Sequence, residues 1–154
     1  MSVLATHPPE ARETSGGLRR MWAVGAVAGL VASLVVIAFV AIAEGVGVPM
    51  EVAENGTNQP EQIPLPGYGM LILGATLVGL LLATAFRRWT GRPRRAFVIT
   101  AVVLTAVSFT FPATTTATTA TKVMLVITHL VPAALIIPAI AAHLPSRRVR
   151  GTVA

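Results

Sequence analysis

The amino-acid sequence predicts an all-α membrane protein, a four-helix transmembrane bundle with both the N- and C-termini in the cytoplasm. Three observations support this class. Of the 154 residues, 54% are apolar and only 12% are charged, which is about half the roughly 25% of charged residues in an average soluble domain. Four apolar segments approach or reach the length needed to cross a bilayer. Eleven of the twelve basic residues lie in segments that this topology places on one side of the membrane.

The chain begins with a segment, residues 1–18, that is predicted to be a flexible cytoplasmic tail, because its prolines, glycines and scattered charges show no apolar periodicity. The membrane domain, residues 19–145, follows, and its first span is predicted at about 21–43. As a helix this uncharged run would extend roughly 34 Å, enough for a hydrocarbon core of about 30 Å. Arg19 and Arg20 precede the span, and Trp22 suits the headgroup level.

A cleaved signal peptide is the alternative for this first segment. Ala41-Ile42-Ala43 resembles a small-residue cleavage site, and the arginine pair resembles a charged n-region. The apolar run is longer than the about 7–15 residues usual in a signal, which favours a retained span. Cleavage would leave three spans and an N-terminus outside.

The later spans are predicted at about 68–86, 96–112 and 123–144. The preceding segment 44–66 is predicted to be an outer loop, because it has four prolines and four glutamates but no lysine or arginine. In that loop Asn55-Gly56-Thr57 matches a glycosylation acceptor, but Asn-Gly is also a turn signal, and the turn is favoured. An arginine-dense turn joins spans two and three, a threonine-rich stretch joins three and four, and residues 146–154 form a basic cytoplasmic tail. When both termini are placed in the cytoplasm, Lys122 is the one basic residue of the twelve that lies outside.

Small residues recur every four positions in the first two spans. The first span carries the GxxxG pair Gly25 and Gly29, continued by Ser33, and the second carries Ala75, Gly79 and Ala83. Such stripes allow two helix backbones to approach closely. They predict helix packing inside the bundle, with self-association or docking on a partner as the alternative.

His129 is the ionisable side chain that lies well inside an apolar span, roughly 10 Å below the outer surface when counted along a helix from Lys122. Intramembrane ionisable residues are candidates for function. The same counting places Thr76 and Thr105 near the depth of His129, with Ser33 and Ser108 within about a turn. We predict a polar layer in which neutral His129 bonds to a threonine hydroxyl; a proton relay or a solute site is the alternative.

The fourth span also contains Pro132 and Pro138, which predict a kinked helix because each proline lacks the N–H that would bond the carbonyl four residues earlier. His143 lies 14 residues after His129, roughly 21 Å along a helix, so the two cannot share a metal ion. His7 lies in the N-terminal tail. We therefore predict no metal site and no cofactor.

Catalytic signatures are missing from the sequence, which has no His-Glu-x-x-His, no Gly-x-Ser-x-Gly, no Walker loop, no paired intramembrane carboxylates and no cysteine. The basic clusters sit between apolar runs, which favours a membrane surface over nucleic acid. We expect a non-enzymatic, multi-pass plasma-membrane protein that packs with itself or another membrane protein in the lipid bilayer. The alternative is a small transporter or channel subunit that uses the polar layer around His129.

Several segments together resemble an actinobacterial family of four-span membrane proteins of uncharacterised function. They are the Arg-Arg-Met-Trp that opens the first span at 19–22, the threonine-rich stretch before Lys122, and Thr-His-Leu-Val-Pro-Ala-Ala at 128–134 with Ile-Pro at 137–138 and His-Leu-Pro at 143–145. The resemblance covers about residues 18–145. It implies a four-helix architecture and a plasma-membrane location, and it carries no activity with it.

Overall fold

A computed structural model describes residues 10–48, 51–53, 60–62, 64–110 and 118–146. Within these ranges the chain forms four helices, α1 (Glu10–Gly45), α2 (Leu65–Trp89), α3 (Pro93–Ser108) and α4 (Thr119–Ala141), and two short strands, β1 (Glu51–Ala53) and β2 (Pro60–Gln62). The strands belong to a single connection, whereas the helices build the core. The predicted all-α class is confirmed.

The N-terminal segment differs from its prediction. Helix α1 begins at Glu10, inside the stretch 1–18 that was predicted to be a flexible tail. Residues 10–13 read Glu-Ala-Arg-Glu, and these residue types have high helix propensity. Helix propagation from an established helix is far easier than nucleation, so the membrane span can extend into this polar segment. Residues 1–9 lie outside the described ranges.

Proline and threonine residues mark where the later helices begin. Both α2 and α3 have a proline in the first turn. Backbone N–H groups in the first turn make no hydrogen bond within the helix, so a proline there costs none. Thr118 caps α4, because its hydroxyl accepts a hydrogen bond from the Thr121 N–H at 3.2 Å. Helix α4 therefore starts at Thr119, before the predicted span of 123–144, and it ends at Ala141.

The connection between α1 and α2 contains an antiparallel ribbon that was not predicted. Glu51 lies opposite Gln62, and Ala53 lies opposite Pro60. Strands of three residues are too short to show a period-two pattern in the sequence. The predicted Asn55-Gly56 turn falls between the two strands, outside the described residues.

Helix α1 packs along α2 and α4, and α3 packs on the same two helices from the other side. Near one end of the bundle the Trp22 Nε1 donates a hydrogen bond to the Thr84 hydroxyl at 3.2 Å. Further along α1, the Ser33 hydroxyl donates to the Gly69 carbonyl at 3.4 Å. From the first bond to the second, the residue number rises along α1 and falls along α2, so these two helices are antiparallel.

The closest helix contact is between α1 and α2, at Gly25 and Gly29. A Cβ atom at position 29 would lie 2.7 Å from the Thr76 hydroxyl oxygen, and one at position 25 would lie 2.6 Å from Leu80 Cδ2. Both distances are shorter than van der Waals contact, so side chains of α2 occupy the space that a larger residue would need. The two glycines therefore allow α1 to approach this closely.

Large apolar side chains are exposed on every helix of the bundle; examples are Leu34, Leu71, Val103 and Leu130. Three helices have the length and composition to cross a membrane, namely Gly16–Gly45, Leu65–Trp89 and Thr119–Ala141. Helix α3 has 16 residues and extends roughly 24 Å, less than the hydrocarbon thickness of about 30 Å. The predicted third span, 96–112, continues past the end of α3 into residues outside the described ranges.

The contact at Gly29 can be tested by adding one methyl group. Gly29→Ala forces a Cβ against Thr76, and we expect a loss of about 1–3 kcal/mol in the free energy of unfolding, as for other overpacked cores. The matched control is Gly74→Ala on α2, where an added Cβ meets nothing within 4 Å and which we expect to be neutral or stabilising. Unfolding in mixed detergent micelles, followed by tryptophan fluorescence, gives both values.

The double variant Gly29→Ala with Thr76→Ala should recover part of the lost stability, because it removes the atoms nearest to the new methyl group. Equal stability changes for Gly29→Ala and Gly74→Ala would contradict the close α1–α2 contact.

Candidate functional site

A pocket of about 480 Å³ lies between α2, α3 and α4. This volume is within the range of about 300–1,000 Å³ that is typical of ligand pockets. Its wall is largely apolar. Leu71 and Val78 of α2 and Leu104 of α3 line the pocket and are at least half exposed. The pocket therefore opens sideways between α2 and α3, onto the apolar exterior of the bundle.

Four of the five residues of the predicted polar layer line this pocket: Thr76, Thr105, Ser108 and His129. Ser33 lies apart from them, in the α1–α2 contact, where its hydroxyl bonds to the Gly69 carbonyl. Two further polar residues of the wall, Tyr68 and Thr128, were not predicted. Tyr68 is the first residue of the predicted second span, where an aromatic ring is expected at the membrane interface, so no sequence pattern indicates that it lies in a pocket.

The hydroxyl groups of serine and threonine in the pocket donate hydrogen bonds to backbone carbonyls of their own helices. The pairs are Thr76 to Ile72 at 2.7 Å, Thr105 to Ala101 at 2.9 Å, Ser108 to Thr105 at 2.7 Å and Thr128 to Leu125 at 2.8 Å. Such local bonds satisfy polar donors where water is absent. They also leave these hydroxyls without a free proton to offer to a ligand.

His129 bonds to its own helix as well. Its Nδ1 lies 2.7 Å from the Leu125 carbonyl oxygen, and because a carbonyl only accepts, Nδ1 must carry the proton. In the neutral ring Nε2 is then an unprotonated acceptor. Within the described part of the chain, the predicted bond from His129 to a threonine hydroxyl is absent. The reason is that a carbonyl of the same helix, three or four residues earlier, already pairs with each of these side chains.

The ring of His129 also contacts Phe109, at the end of α3. The two ring centroids are 6.2 Å apart, and the planes meet at 63° in an edge-on arrangement. This contact joins α3 to α4 at the level of His129. It places Ser108, the neighbour of Phe109, at the same end of the pocket.

The polar groups of the pocket are concentrated at the end formed by His129 and Phe109. Counting residues along α2 and α4 shows this. Ile140 of α4 lies 3.8 Å from a Cβ built at Gly79 of α2, so these positions share one level. Tyr68 and His129 are each eleven residues from that level, or roughly 16 Å at 1.5 Å per residue. Thr76 is three residues from it, roughly 5 Å. Thr76 therefore lies well below His129 and outside the single layer that was predicted.

Tyr68 is the polar residue of the pocket with an unsatisfied group. Its side chain is 6% exposed, and its hydroxyl has no hydrogen-bond partner among the described residues. A buried hydroxyl without a partner costs about 1–3 kcal/mol, which makes Tyr68 a candidate for binding.

The small-residue stripe predicted on α2 divides between two environments. Ala83 is fully buried, whereas Ala75 and Gly79 line the pocket. The residues of α2 that meet the glycines of α1 are Thr76 and Leu80 instead. Adjacent residues on a helix point about 100° apart, so a shift of one position moves the contact to another face.

The two prolines of α4 lie within one helix that runs unbroken from Thr119 to Ala141. Pro132 is buried and lines the pocket, and it leaves the Thr128 carbonyl without its usual N–H donor. Pro138 is exposed. The kink that the prolines favour stays a prediction.

Within the described ranges no group of three or more His, Cys, Asp or Glu side chains could hold a metal ion. The second histidine of α4, His143, bonds through Nδ1 to the Ala139 carbonyl at 3.0 Å. The pocket instead presents a largely apolar wall with Tyr68 and His129 at one end. This is the chemistry of a site for an uncharged or amphipathic molecule.

An apolar exterior and three helices able to cross a bilayer define a membrane protein. The chain belongs to the family of unknown function DUF6069, which matches residues 16–146. The match covers α1 from Gly16 onward and all of α2, α3 and α4. It confirms that the chain belongs to an uncharacterised family, while the actinobacterial source and the four-span class stay predictions. No curated protein matches the chain, and no solved structure matches it.

The hydrogen bond of His129 predicts which ring nitrogen is protonated. In the full chain, labelled with ¹⁵N-histidine and reconstituted in lipid, we expect the neutral His129 ring to carry its proton on Nδ1, because the Leu125 carbonyl accepts it. Solid-state NMR distinguishes the two tautomers by their nitrogen shifts, and His129→Gln identifies the signal. A neutral His129 protonated on Nε2 would show that the Leu125 bond is not formed.

Proposed function

We propose that this chain is a small plasma-membrane protein that crosses the bilayer four times, keeps both termini in the cytoplasm, and acts without catalysis through packing and binding inside the membrane. The observation that carries the proposal is that one end of the bundle collects the arginine clusters of the described residues. That end contains the start of α1, the turn between α2 and α3, and the end of α4.

Two contacts support this common end. A Cβ built at Gly17 lies 3.3 Å from Arg87 Nη2, which brings the start of α1 to the α2–α3 turn. A Cβ built at Gly25 lies 3.2 Å from Ile140 Cγ1, which brings the last part of α4 beside the same region of α1. Short cytoplasmic segments are enriched in arginine and lysine. The arginine-rich end therefore fits the cytoplasmic face.

Support for a membrane-crossing α3 comes from its position and its surface. It lies beside α2 and α4, and its outward side chains Val102, Val103 and Val107 are more than half exposed and apolar. A short apolar helix is accommodated by local thinning of the bilayer. Arg94 and Arg95 at its start have long side chains that reach the headgroups.

A non-catalytic role is supported by the hydrogen bonds of the pocket. A nucleophilic hydroxyl needs a base within hydrogen-bond reach, but the pocket hydroxyls and His129 bond to backbone carbonyls. The Gly25–Gly29 face is occupied by α2, so any self-association must use another surface. The outward apolar face of α1, which includes Leu30 and Leu34, is the surface that remains for a second copy or another membrane protein.

A transporter or channel subunit is the second candidate, and the observation that favours it is the half-buried His129 at the polar end of a pocket. Such a role requires that water reach His129. The sideways opening of the pocket and its apolar wall favour an occupant from the lipid phase instead.

The topology can be tested by labelling single cysteines, because the natural chain contains none. The variants are Ser2→Cys, Asn55→Cys, Gly91→Cys, Thr118→Cys, Ser146→Cys and His129→Cys. In intact cells a membrane-impermeant thiol reagent should label positions 55 and 118 and should leave 2, 91 and 146 unlabelled until the membrane is opened.

Labelling of positions 91 and 118 from the same side would show that α3 does not cross the bilayer. Labelling of position 2 from outside, or loss of an N-terminal tag, would indicate a reversed orientation or a cleaved first segment. Rapid labelling at position 129 would favour the transport candidate over a role confined to the membrane interior.

A further inference from the structure

We propose that the pocket between α2, α3 and α4 binds an acyl chain of a bilayer lipid, with the ester group of that lipid at the end formed by Tyr68 and His129. This inference adds a ligand to the proposed membrane protein. It depends on embedding in lipid and holds for either orientation of the chain.

The shape of the pocket fits a long apolar chain. Its wall on α2 runs from Tyr68 to Leu82, fourteen residues or roughly 21 Å. One leaflet contributes about half of the roughly 30 Å hydrocarbon thickness. The pocket is therefore long enough to take an acyl chain from one leaflet along its whole length.

The entrance of the pocket faces the lipid. Leu71 is 70% exposed, and Val78 and Leu104 are 53% and 50% exposed at the rim. A solute from water would have to pass through hydrocarbon to enter here, whereas a lipid chain is already present. Apolar cavities of this kind do not hold water stably, so an acyl chain is the occupant that matches the wall.

The two ends of the pocket differ in chemistry. Far from the Tyr68 end the wall consists of apolar residues, including Leu82, Phe97 and Ile137. At the other end lie Tyr68, Ser108, Thr128 and His129. An acyl lipid has the same division, an apolar chain that ends in a polar ester.

Tyr68 supplies the hydrogen bond that an ester needs. The serine and threonine hydroxyls of the wall already donate to their own helices, whereas the Tyr68 hydroxyl has no hydrogen-bond partner within the described part of the chain. An ester carbonyl accepts a hydrogen bond and donates none.

Photo-crosslinking in vesicles tests the proposal. The full chain is reconstituted in phosphatidylcholine that contains a trace of phosphatidylcholine with a diazirine on one acyl chain, placed either near the methyl end or beside the ester. The methyl-end probe should attach to the apolar part of the pocket around Leu82, Phe97 and Ile137. The ester-end probe should attach near Tyr68 and Ser108.

Two substitutions on α3 provide the matched comparison. Ala101→Leu places a larger side chain in the pocket wall, and Ala106→Leu places the same side chain on an exposed position outside it. Ala101→Leu should remove most of the crosslinks to the pocket and leave those to the outward face of α1 unchanged. Ala106→Leu should leave both sets unchanged.

Tyr68→Phe tests the polar end without altering the packing. It should lower the retention of phosphatidylcholine in detergent, measured by native mass spectrometry, by about two- to tenfold, the range expected for one hydrogen bond. It should not lower stability, since no hydrogen bond within the described chain is lost.

The proposal is overturned if crosslinks follow exposure alone over all four helices and Ala101→Leu changes none of them. It is equally overturned if Tyr68→Phe and the unaltered chain retain the same amount of lipid. A correct four-span topology with either of these results would leave the proposed function standing and remove the lipid site.

Discussion

Hydrocarbon tails are as apolar as leucine, so helices in a bilayer are held together by close van der Waals contact rather than by the hydrophobic effect. In this chain the closest contact is at Gly25 and Gly29, where Thr76 and Leu80 of α2 fill the space of the missing side chains. The same face of α1 receives Ile140 of α4. Helices α1, α2 and α4 therefore form one packed unit. Helix α3 completes the bundle by packing on α2 and α4, and the pocket lies between α2, α3 and α4.

The second constraint is that polar groups in lipid must find partners within the protein. Most of the hydroxyls in this bundle do so through their own helix, and Trp22 and Ser33 do so across the α1–α2 contact. These bonds need no ligand. The buried Tyr68 hydroxyl has no partner within the described part of the chain, and Tyr68 and His129 both lie about eleven residues from the level where α2 meets α4. They give an otherwise apolar pocket one polar end, and this asymmetry is the basis of the inferred lipid site.

The positions of the four helices could be predicted from the sequence, because apolar runs and arginine clusters are local properties of the chain. The helical start at Glu10 could not, since it depends on extension from a neighbouring span. The residues of α2 that meet Gly25 and Gly29 could not be predicted either: Ala75, Gly79 and Ala83 have the spacing of a packing stripe, but Thr76 and Leu80 make that contact, because four-residue spacing occurs on more than one face. The prediction that Thr76 and His129 lie at one depth failed because counting from the predicted ends assumes that all spans begin at one level. Tyr68, at the predicted start of the second span, instead lies level with His129, six residues after the predicted start of the fourth.

The pocket exists only if α3 lies beside α4 and closes it at His129, and a cross-link between these two helices shows whether they are neighbours. Phe109→Cys with His129→Cys introduces the two thiols of an otherwise cysteine-free chain, and a short bifunctional thiol reagent is added to membranes. The 6.2 Å between the native rings predicts an efficient intramolecular link, and Phe109→Cys with Val31→Cys on the outward face of α1 should give none. A link to α1, or none to α4 in a folded chain, would contradict this arrangement of the bundle.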